Sequence, residues 1–133
     1  MWVMLDTNVF VSGVFFSGPP FEILKAWRDD KVQIALSPAI MDEYKRVGDE
    51  LSNAHPGIDV SRILELLLSK SHMVEAPALL ESVCSDPDDD MFLACAVAAA
   101  VPYIVSGDKH LRRIGEYRGV RIVSPRGFVD TCL

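Results

Sequence analysis

The chain has 133 residues, of which 50% are hydrophobic and 24% charged, enough apolar material for the core of one domain over residues 1–133. Its net charge of −6 argues against nucleic-acid binding over the whole surface. The three cysteines form no C-x-x-C pair and the three histidines are scattered, which argues against a disulfide framework and a zinc site. The longest apolar stretch, residues 91–101, is too short for a bilayer and no signal-peptide pattern opens the chain, so we expect a cytoplasmic protein without a membrane span.

The predicted elements alternate between strands and helices. In chain order they are a strand at 2–5, a loop at 7–20, a helix at 21–28, a strand at 32–36, a helix at 38–51, a loop at 52–57, a helix at 60–71, a weak strand at 72–75, an unassigned stretch at 76–85, a helix at 89–100, a strand at 103–106, a short helix at 109–115, a strand at 120–123 and a helix from 125. This alternation predicts an α/β domain with a mainly parallel central sheet.

Two acids follow apolar strands. Asp6 comes directly after residues 3–5, and Asp108 comes after the strand at 103–106. Ligands of parallel sheets bind outside the carboxyl ends of the strands, so both acids are candidates for one site. The alternative is that each acid only caps the next turn or helix, and for Asp108 the two roles are compatible.

Glu43 lies beside the apolar stripe of its predicted helix. That stripe has the spacing i, i+4, i+7, i+11 and comprises Ile40, Tyr44, Val47 and Leu51. A glutamate on the flank of a core-facing stripe either reaches solvent at its edge or has a partner inside.

Four aspartates lie within residues 86–90, at the start of the predicted helix 89–100. Capping and the helix dipole explain one or two acids at a helix N-terminus, and four exceed that need. Helical phase puts Asp89 in line with the inward face and Asp90 at its edge, and phase alone does not choose between them.

Converging carboxylates repel one another unless a cation or shared protons lie between them. Mg²⁺ prefers oxygen ligands and keeps several waters, so the acids predict a Mg²⁺ or Mn²⁺ site. Residues 109–133 carry six Lys or Arg and two acids, a local charge of +4 that leaves −10 for the rest of the chain. Lys109 and Arg112 follow Asp108 closely and are candidate phosphate contacts, with a solvated surface as the equal alternative.

These segments in this order resemble the PIN-domain ribonucleases, most of all the toxin components of bacterial toxin–antitoxin modules. The resemblance covers nearly the whole chain. It rests on Val-Met-Leu-Asp-Thr-Asn at 3–8, Ser37-Pro38 with Glu43, Asp-Pro-Asp-Asp-Asp-Met-Phe-Leu-Ala at 86–94, and Ile-Val-Ser-Gly-Asp-Lys-His-Leu at 104–111.

The resemblance implies a three-layer α/β/α sandwich, a pocket for Mg²⁺ or Mn²⁺, and endonuclease cleavage of RNA by metal-activated water. Position by position it makes Asp6, Glu43, a helix-opening aspartate and Asp108 the catalytic, metal-site acids. The gap of 18 residues to Asp108 favours Asp90 as the third acid, whereas relatives with asparagine after the preceding aspartate favour Asp89. Ser106 stands where many members have threonine.

The resemblance also implies an RNA substrate, an antitoxin partner and a homodimer, and a mean hydropathy of +0.21 supports the homodimer. Three alternatives stay open. A receiver-like Mg²⁺-binding signalling domain needs an acceptor aspartate after the third strand, where this chain has Glu75. A dehalogenase-type phosphatase needs an aspartate at the position of Asn8. A PIN-like domain without activity would serve only as a binding module.

Overall fold

The computed structural model describes residues 1–133 and contains six strands and seven helices. The strands are β1 Trp2–Leu5, β2 Gln33–Leu36, β3 His72–Met73, β4 Tyr103–Val105, β5 Glu116–Tyr117 and β6 Val120–Val123. The helices are α1 Thr7–Phe15, α2 Pro19–Arg28, α3 Pro38–Ala54, α4 Val60–Lys70, α5 Asp90–Ala99, α6 Lys109–Arg112 and α7 Pro125–Cys132, with a 3-10 turn at Pro87–Asp89 before α5.

The strands form one sheet in the order β3-β2-β1-β4-β6-β5. Every pairing is parallel except that of β5 with β6. The central strand β1 therefore has β2 on one side and β4 on the other, and Val3 pairs with both Ile34 and Tyr103. The prediction of a mainly parallel central sheet is confirmed.

Helices cover both faces of this sheet. From β1 the chain moves through β2 to β3 at one edge, and α1 to α4 lie in these connections. It then returns through α5 to β4 and on to β6, in the opposite direction. Right-handed crossovers in opposite directions place their helices on opposite faces. Helix α5 contacts β1, β2, β4 and β6, whereas α1, α2, α3 and α7 pack on one another, which gives the three-layer α/β/α sandwich.

The central strands are apolar along their whole length because helices bury both of their faces. Residues 3–5 of β1 and 104–105 of β4 have no exposed surface. The three cysteines are unpaired, as predicted. None of the seven helices combines the length and apolarity needed to span a membrane.

The prediction of a loop at residues 7–20 is wrong, because residues 7–15 form helix α1. Val9, Phe10, Val11 and Phe15 are buried around most of its circumference, and the outer face has only two polar residues, Asn8 and Ser12, so the helical period is weak. Gly13 suggested a turn, but it lies inside the helix where a Cβ atom would approach Leu24 Cδ1 to 2.6 Å. Glycine is needed here for the close packing of α1 on α2. Strand β5 was also missed, α3 extends three residues beyond its predicted end, to Ala54, and α6 is shorter than predicted.

Candidate metal-binding active site

A cavity of about 490 Å³ lies at the carboxyl ends of β1 and β4, where the direction of the crossovers reverses. Such a reversal point is the usual ligand site of an open parallel sheet. Twelve residues line the cavity: Asp6, Thr7, Asn8, Glu43, Arg46, Asp86, Asp88, Asp89, Met91, Phe92, Asp108 and Leu111. Six of them are acids and one, Arg46, is a base.

Asp6 is the most buried acid of the cavity, with 5% of its surface exposed. It caps α1, since its Oδ1 accepts the backbone N–H of Val9 at 2.8 Å, and its Oδ2 accepts the hydroxyl of Ser106. Burial raises the pKa of Asp6 above its usual value and the charge of Asp108 adds to the rise, while the two hydrogen bonds oppose it. A bound cation would relieve the cost of ionising this carboxyl group.

Ser106 joins two of the predicted acids. Its hydroxyl donates to Asp6, and its Oγ accepts the backbone N–H of Asp108 at 3.0 Å. Asp108 in turn caps α6 by accepting the N–H of His110 at 2.8 Å. The ends of β1 and β4 are thus held together by side chains as well as by strand pairing.

Glu43 reaches the cavity from α3, with 30% of its side chain exposed. The neighbouring Tyr44 fixes the position of this helix. It is fully buried, donates its hydroxyl to the carbonyl of Leu5 at 2.5 Å, and stacks on Phe10 at 4.3 Å between ring centroids. Burial raises the pKa of Tyr44 well above its usual value and the charge of Asp6 adds to this, so the hydroxyl stays a donor.

Asp89 and Asp90, which helical phase left open, lie in different environments. Asp89 is half-buried and lines the cavity, and burial followed by the charges of Asp86, Asp108 and Asp6 raises its pKa to about 6.

The Asp90 carboxylate lies outside the cavity. Its Oδ1 accepts the backbone N–H groups of Val83 at 3.1 Å and Cys84 at 2.8 Å. Burial opposes ionisation of Asp90, but its hydrogen bonds, led by that of Cys84, outweigh burial and lower its pKa. Of the two aspartates, Asp89 lines the cavity and Asp90 does not, because the Asp90 side chain turns back to hold the preceding loop. The catalytic and metal-binding roles of both remain predictions.

Thr7 and Arg46 were not predicted as site residues. The Thr7 Oγ1 is buried at the wall of the cavity and has no hydrogen-bond partner. Its position directly after Asp6 was the available signal, but the first turn of α1 was not recognised. Arg46 lies one turn after Glu43 in α3 and pairs with it at 2.9 Å. The i, i+3 spacing of opposite charges on a predicted helix would have indicated this pair.

A basic surface borders the cavity at α6. Lys109, Arg112 and Arg113 line a shallow depression of about 290 Å³, while Leu111 of the same helix lines the acidic cavity. The Nε atom of Arg112 is buried without a hydrogen-bond partner. The two candidate phosphate contacts, Lys109 and Arg112, therefore lie together, next to the acids.

The acids fit a hard divalent cation. All are oxygen donors, and the pKa values of Asp6 and Asp89 are raised partly by the other acids of the cavity. No three His, Cys, Asp or Glu side chains are close enough to enclose an ion by themselves. A Mg²⁺ ion does not require such a group, because it is usually held by one or two carboxylates and several waters. Burial raises the pKa of Cys84 to about 12 and that of Cys95 to about 11, so neither thiol is a nucleophile at neutral pH.

Comparisons with known proteins agree with this architecture. A family model described as "PIN domain" matches residues 2–110. No curated protein sequence matches the chain. The crystal structure of PAE2754 from Pyrobaculum aerophilum is similar with a TM-score of 0.58 and 15% identity, over 97% of this chain and 86% of that one. The structure of VapBC2 from Rickettsia felis, bound to a DNA fragment from their promoter, gives a TM-score of 0.54 and 15% identity over 93% and 98%.

Proposed function

Since this chain belongs to the PIN domain family, we propose that it is a cytoplasmic, metal-dependent endoribonuclease and the toxin component of a toxin–antitoxin module. The observation that carries the proposal is the convergence of Asp6, Glu43, Asp89 and Asp108 on one cavity. These acids come from four separate segments of the chain. The match to the PIN family also removes the receiver-like and phosphatase alternatives.

Asp6, Glu43, Asp89 and Asp108 are the acids from which Mg²⁺ or Mn²⁺ would take one or two direct ligands, with the others contacting its waters. When bound, such an ion lowers the pKa of a water molecule and polarises a phosphoryl oxygen, so no protein nucleophile is needed. Ser106 and the N–H of Val9 keep the Asp6 carboxylate in one orientation. Thr7 Oγ1 is free to donate to a phosphate oxygen at the wall of the cavity.

The basic surface on α6 supplies the contacts for RNA. A cavity with six acids repels a polyanion, so binding requires cations beside it. Lys109, Arg112 and Arg113 meet this requirement. We propose that they bind phosphates next to the cleaved bond.

The test is cleavage of labelled single-stranded RNA with Mn²⁺, with Mg²⁺ and with EDTA, and single-stranded DNA as the second substrate. We expect cleavage of RNA that EDTA abolishes. Asp6→Asn should lower the rate by at least about 100-fold. Asp49→Asn is the matched control, since it removes an exposed acid of α3 that does not line the cavity, and it should keep full activity. A wild-type protein that binds Mn²⁺ and RNA without cutting would favour the non-catalytic binding module.

We also propose that an antitoxin protein binds the groove between α1, α2 and α4. This groove has a volume of about 560 Å³ and an apolar floor that includes Val14, Leu24 and Trp27. Three bases and one acid line it as well: Lys25, Arg28, Arg62 and Asp59. An amphipathic segment with acidic flanks would fit. The test is co-purification of the chain with the product of a neighbouring reading frame. Phe21→Glu or Val14→Glu, which places a charge in the groove, should abolish it. The homodimer remains a prediction, to be measured by sedimentation.

A further inference from the structure

Arg46 is the one basic side chain at the acidic cavity. Its Nη2 lies 2.9 Å from the Oε1 of Glu43, and its Nη1 lies 3.0 Å from the Oε1 of Glu50. Glu43 lines the cavity, whereas Glu50 does not. The guanidinium group therefore bridges an acid of the site and an acid of the outer helix surface.

Glu43 differs in this respect from the other acids of the cavity. Of the six, it alone forms an ion pair with a base. Asp6 and Asp89 have no such partner, and their pKa values are raised. In the protein without metal, Arg46 thus supplies Glu43 with the positive charge that the cavity otherwise lacks.

Arg46 can leave Glu43 at small cost. Its side chain is 59% exposed, and exposed ion pairs are weak because water screens them. The side chain of Glu50, the second partner of Arg46, is 65% exposed, so Arg46 can stay paired with Glu50 outside the cavity after it leaves Glu43. A divalent cation carries twice the charge of Arg46 and therefore attracts the Glu43 carboxylate more strongly than Arg46 does.

The position of Arg46 also suits a phosphate contact. Helix α3 follows β2 and α6 follows β4, and these strands flank β1 on opposite sides. Arg46 and the basic surface on α6 therefore reach the cavity from two different sides. A planar guanidinium binds a phosphate through two parallel hydrogen bonds. An RNA backbone that crosses the acids would meet a cation on each side.

We propose that Arg46 is the counter-ion of Glu43 in the metal-free protein, yields this acid to the divalent cation, and then binds a phosphate of the RNA on the α3 side of the cleavage point. This inference rests on the proposed function and assigns Arg46 as a substrate-binding residue. The proposal predicts that the metal and the RNA bind cooperatively, because cation binding releases the arginine that contacts the RNA.

The experiment measures binding rather than cleavage. Mn²⁺ affinity is measured by electron paramagnetic resonance, and affinity for a fluorescein-labelled single-stranded RNA is measured by anisotropy with Ca²⁺ in place of Mg²⁺. Arg46→Met should bind Mn²⁺ about 3- to 10-fold more tightly and RNA about 3- to 10-fold more weakly. Arg46→Lys keeps the charge but loses the bidentate fork, so it should lower RNA affinity with little change in Mn²⁺ affinity.

The matched control is Lys45→Met, which removes the same charge from the neighbouring exposed position outside the cavity. It should change neither affinity by more than about 2-fold. Arg46→Met that leaves both affinities unchanged, or weakens Mn²⁺ binding, would overturn the proposal. A wild-type protein that binds no Mn²⁺ would overturn both this inference and the nuclease. If Arg46→Met binds Mn²⁺ more tightly and RNA more weakly while the wild type does not cleave RNA, the role of Arg46 in binding is supported and the nuclease is rejected.

Discussion

The hydroxyl of Ser106 donates a hydrogen bond to the carboxylate of Asp6, 100 positions earlier in the chain, and both side chains are buried. The same oxygen accepts the backbone N–H of Asp108. One small side chain at the end of β4 thus orients two acids of the cavity. Its contribution can be separated from that of the acids themselves, because removing it changes no charge.

Ser106→Ala should weaken both the fold and the site. It removes a hydrogen bond to a buried carboxylate, which costs about 1–3 kcal/mol of unfolding free energy at neutral pH. It also removes an interaction that lowers the pKa of Asp6, so that pKa should rise and the acid limb of the pH–rate profile should move to higher pH. Urea unfolding and the pH dependence of cleavage measure the two effects. Ser106→Thr keeps the hydroxyl and should retain the acid limb; equal shifts in both variants would contradict the role of the hydrogen bond.

Asp89→Asn should lower the cleavage rate but not the stability, whereas Asp90→Ala should lower the stability but not the rate. Asp89 lines the cavity, so its amide variant should lose at least about 100-fold in Mn²⁺-dependent cleavage while unfolding at the same or a higher temperature. Asp90 holds the N–H groups of Val83 and Cys84, so its alanine variant should lose about 1–2 kcal/mol of stability and keep most of its rate per folded molecule. Steady-state kinetics and thermal unfolding of the two proteins decide. Loss of chemistry in Asp90→Ala with normal stability would restore Asp90 as the catalytic acid.

The metal-free protein should lose stability as the pH rises from about 4 to about 6 through Asp89. Its pKa is about 6 in the folded chain against 3.8 for an isolated group, so the folded state binds the proton more tightly than the unfolded state. The stabilisation is complete below the lower value and is lost as the pH passes the higher one. In EDTA, the unfolding free energy of the wild type minus that of Asp89→Asn should fall across this window. Mg²⁺ should restore it above pH 6, and a flat difference would show that burial and the neighbouring acids do not raise the pKa of Asp89.

Gly13→Ala should destabilise the packing of α1 on α2. A Cβ atom there would lie 2.6 Å from Leu24 Cδ1 and 2.8 Å from the carbonyl oxygen of Pro20, and the backbone oxygen does not yield easily. We expect a loss of about 1–3 kcal/mol in urea unfolding. Gly57→Ala is the matched control, because a Cβ atom at Gly57 meets nothing within 4 Å, and its stability should change by less than about 0.5 kcal/mol. Equal stability of the two variants would contradict the close contact.

The features that sequence predicted correctly have local causes. Short apolar runs bounded by polar residues gave β1, β2, β4 and β6, and the Ser-Pro pairs at 37–38 and 124–125 begin helices in which the serine caps the first turn. The grouping of Asp6 with Asp108 followed from a general property of parallel strands, whose carboxyl ends share one edge of the sheet.

The features that it missed depend on tertiary contacts. Helix α1 packs on both α2 and α3, so most of its residues are apolar and only Asn8 and Ser12 form a polar stripe, which is too short to predict a helix. The choice between Asp89 and Asp90 depends on residues 83–84, an irregular segment whose N–H groups attract the Asp90 carboxylate. No periodicity in the chain encodes that contact. Thr7 was overlooked for the same reason as α1.

The pairing of β1 with β4 joins residues 3–5 to residues 103–105. Contacts between such distant segments form late, because a long stretch of chain must be ordered before they are gained. During synthesis, an emerging chain has its first acid at position 6 but lacks the strand that orients it until Asp108 has left the ribosome. The proposed nuclease site therefore becomes complete only after residues 103–108 have been made, and before that point the chain would cut neither its own messenger RNA nor ribosomal RNA.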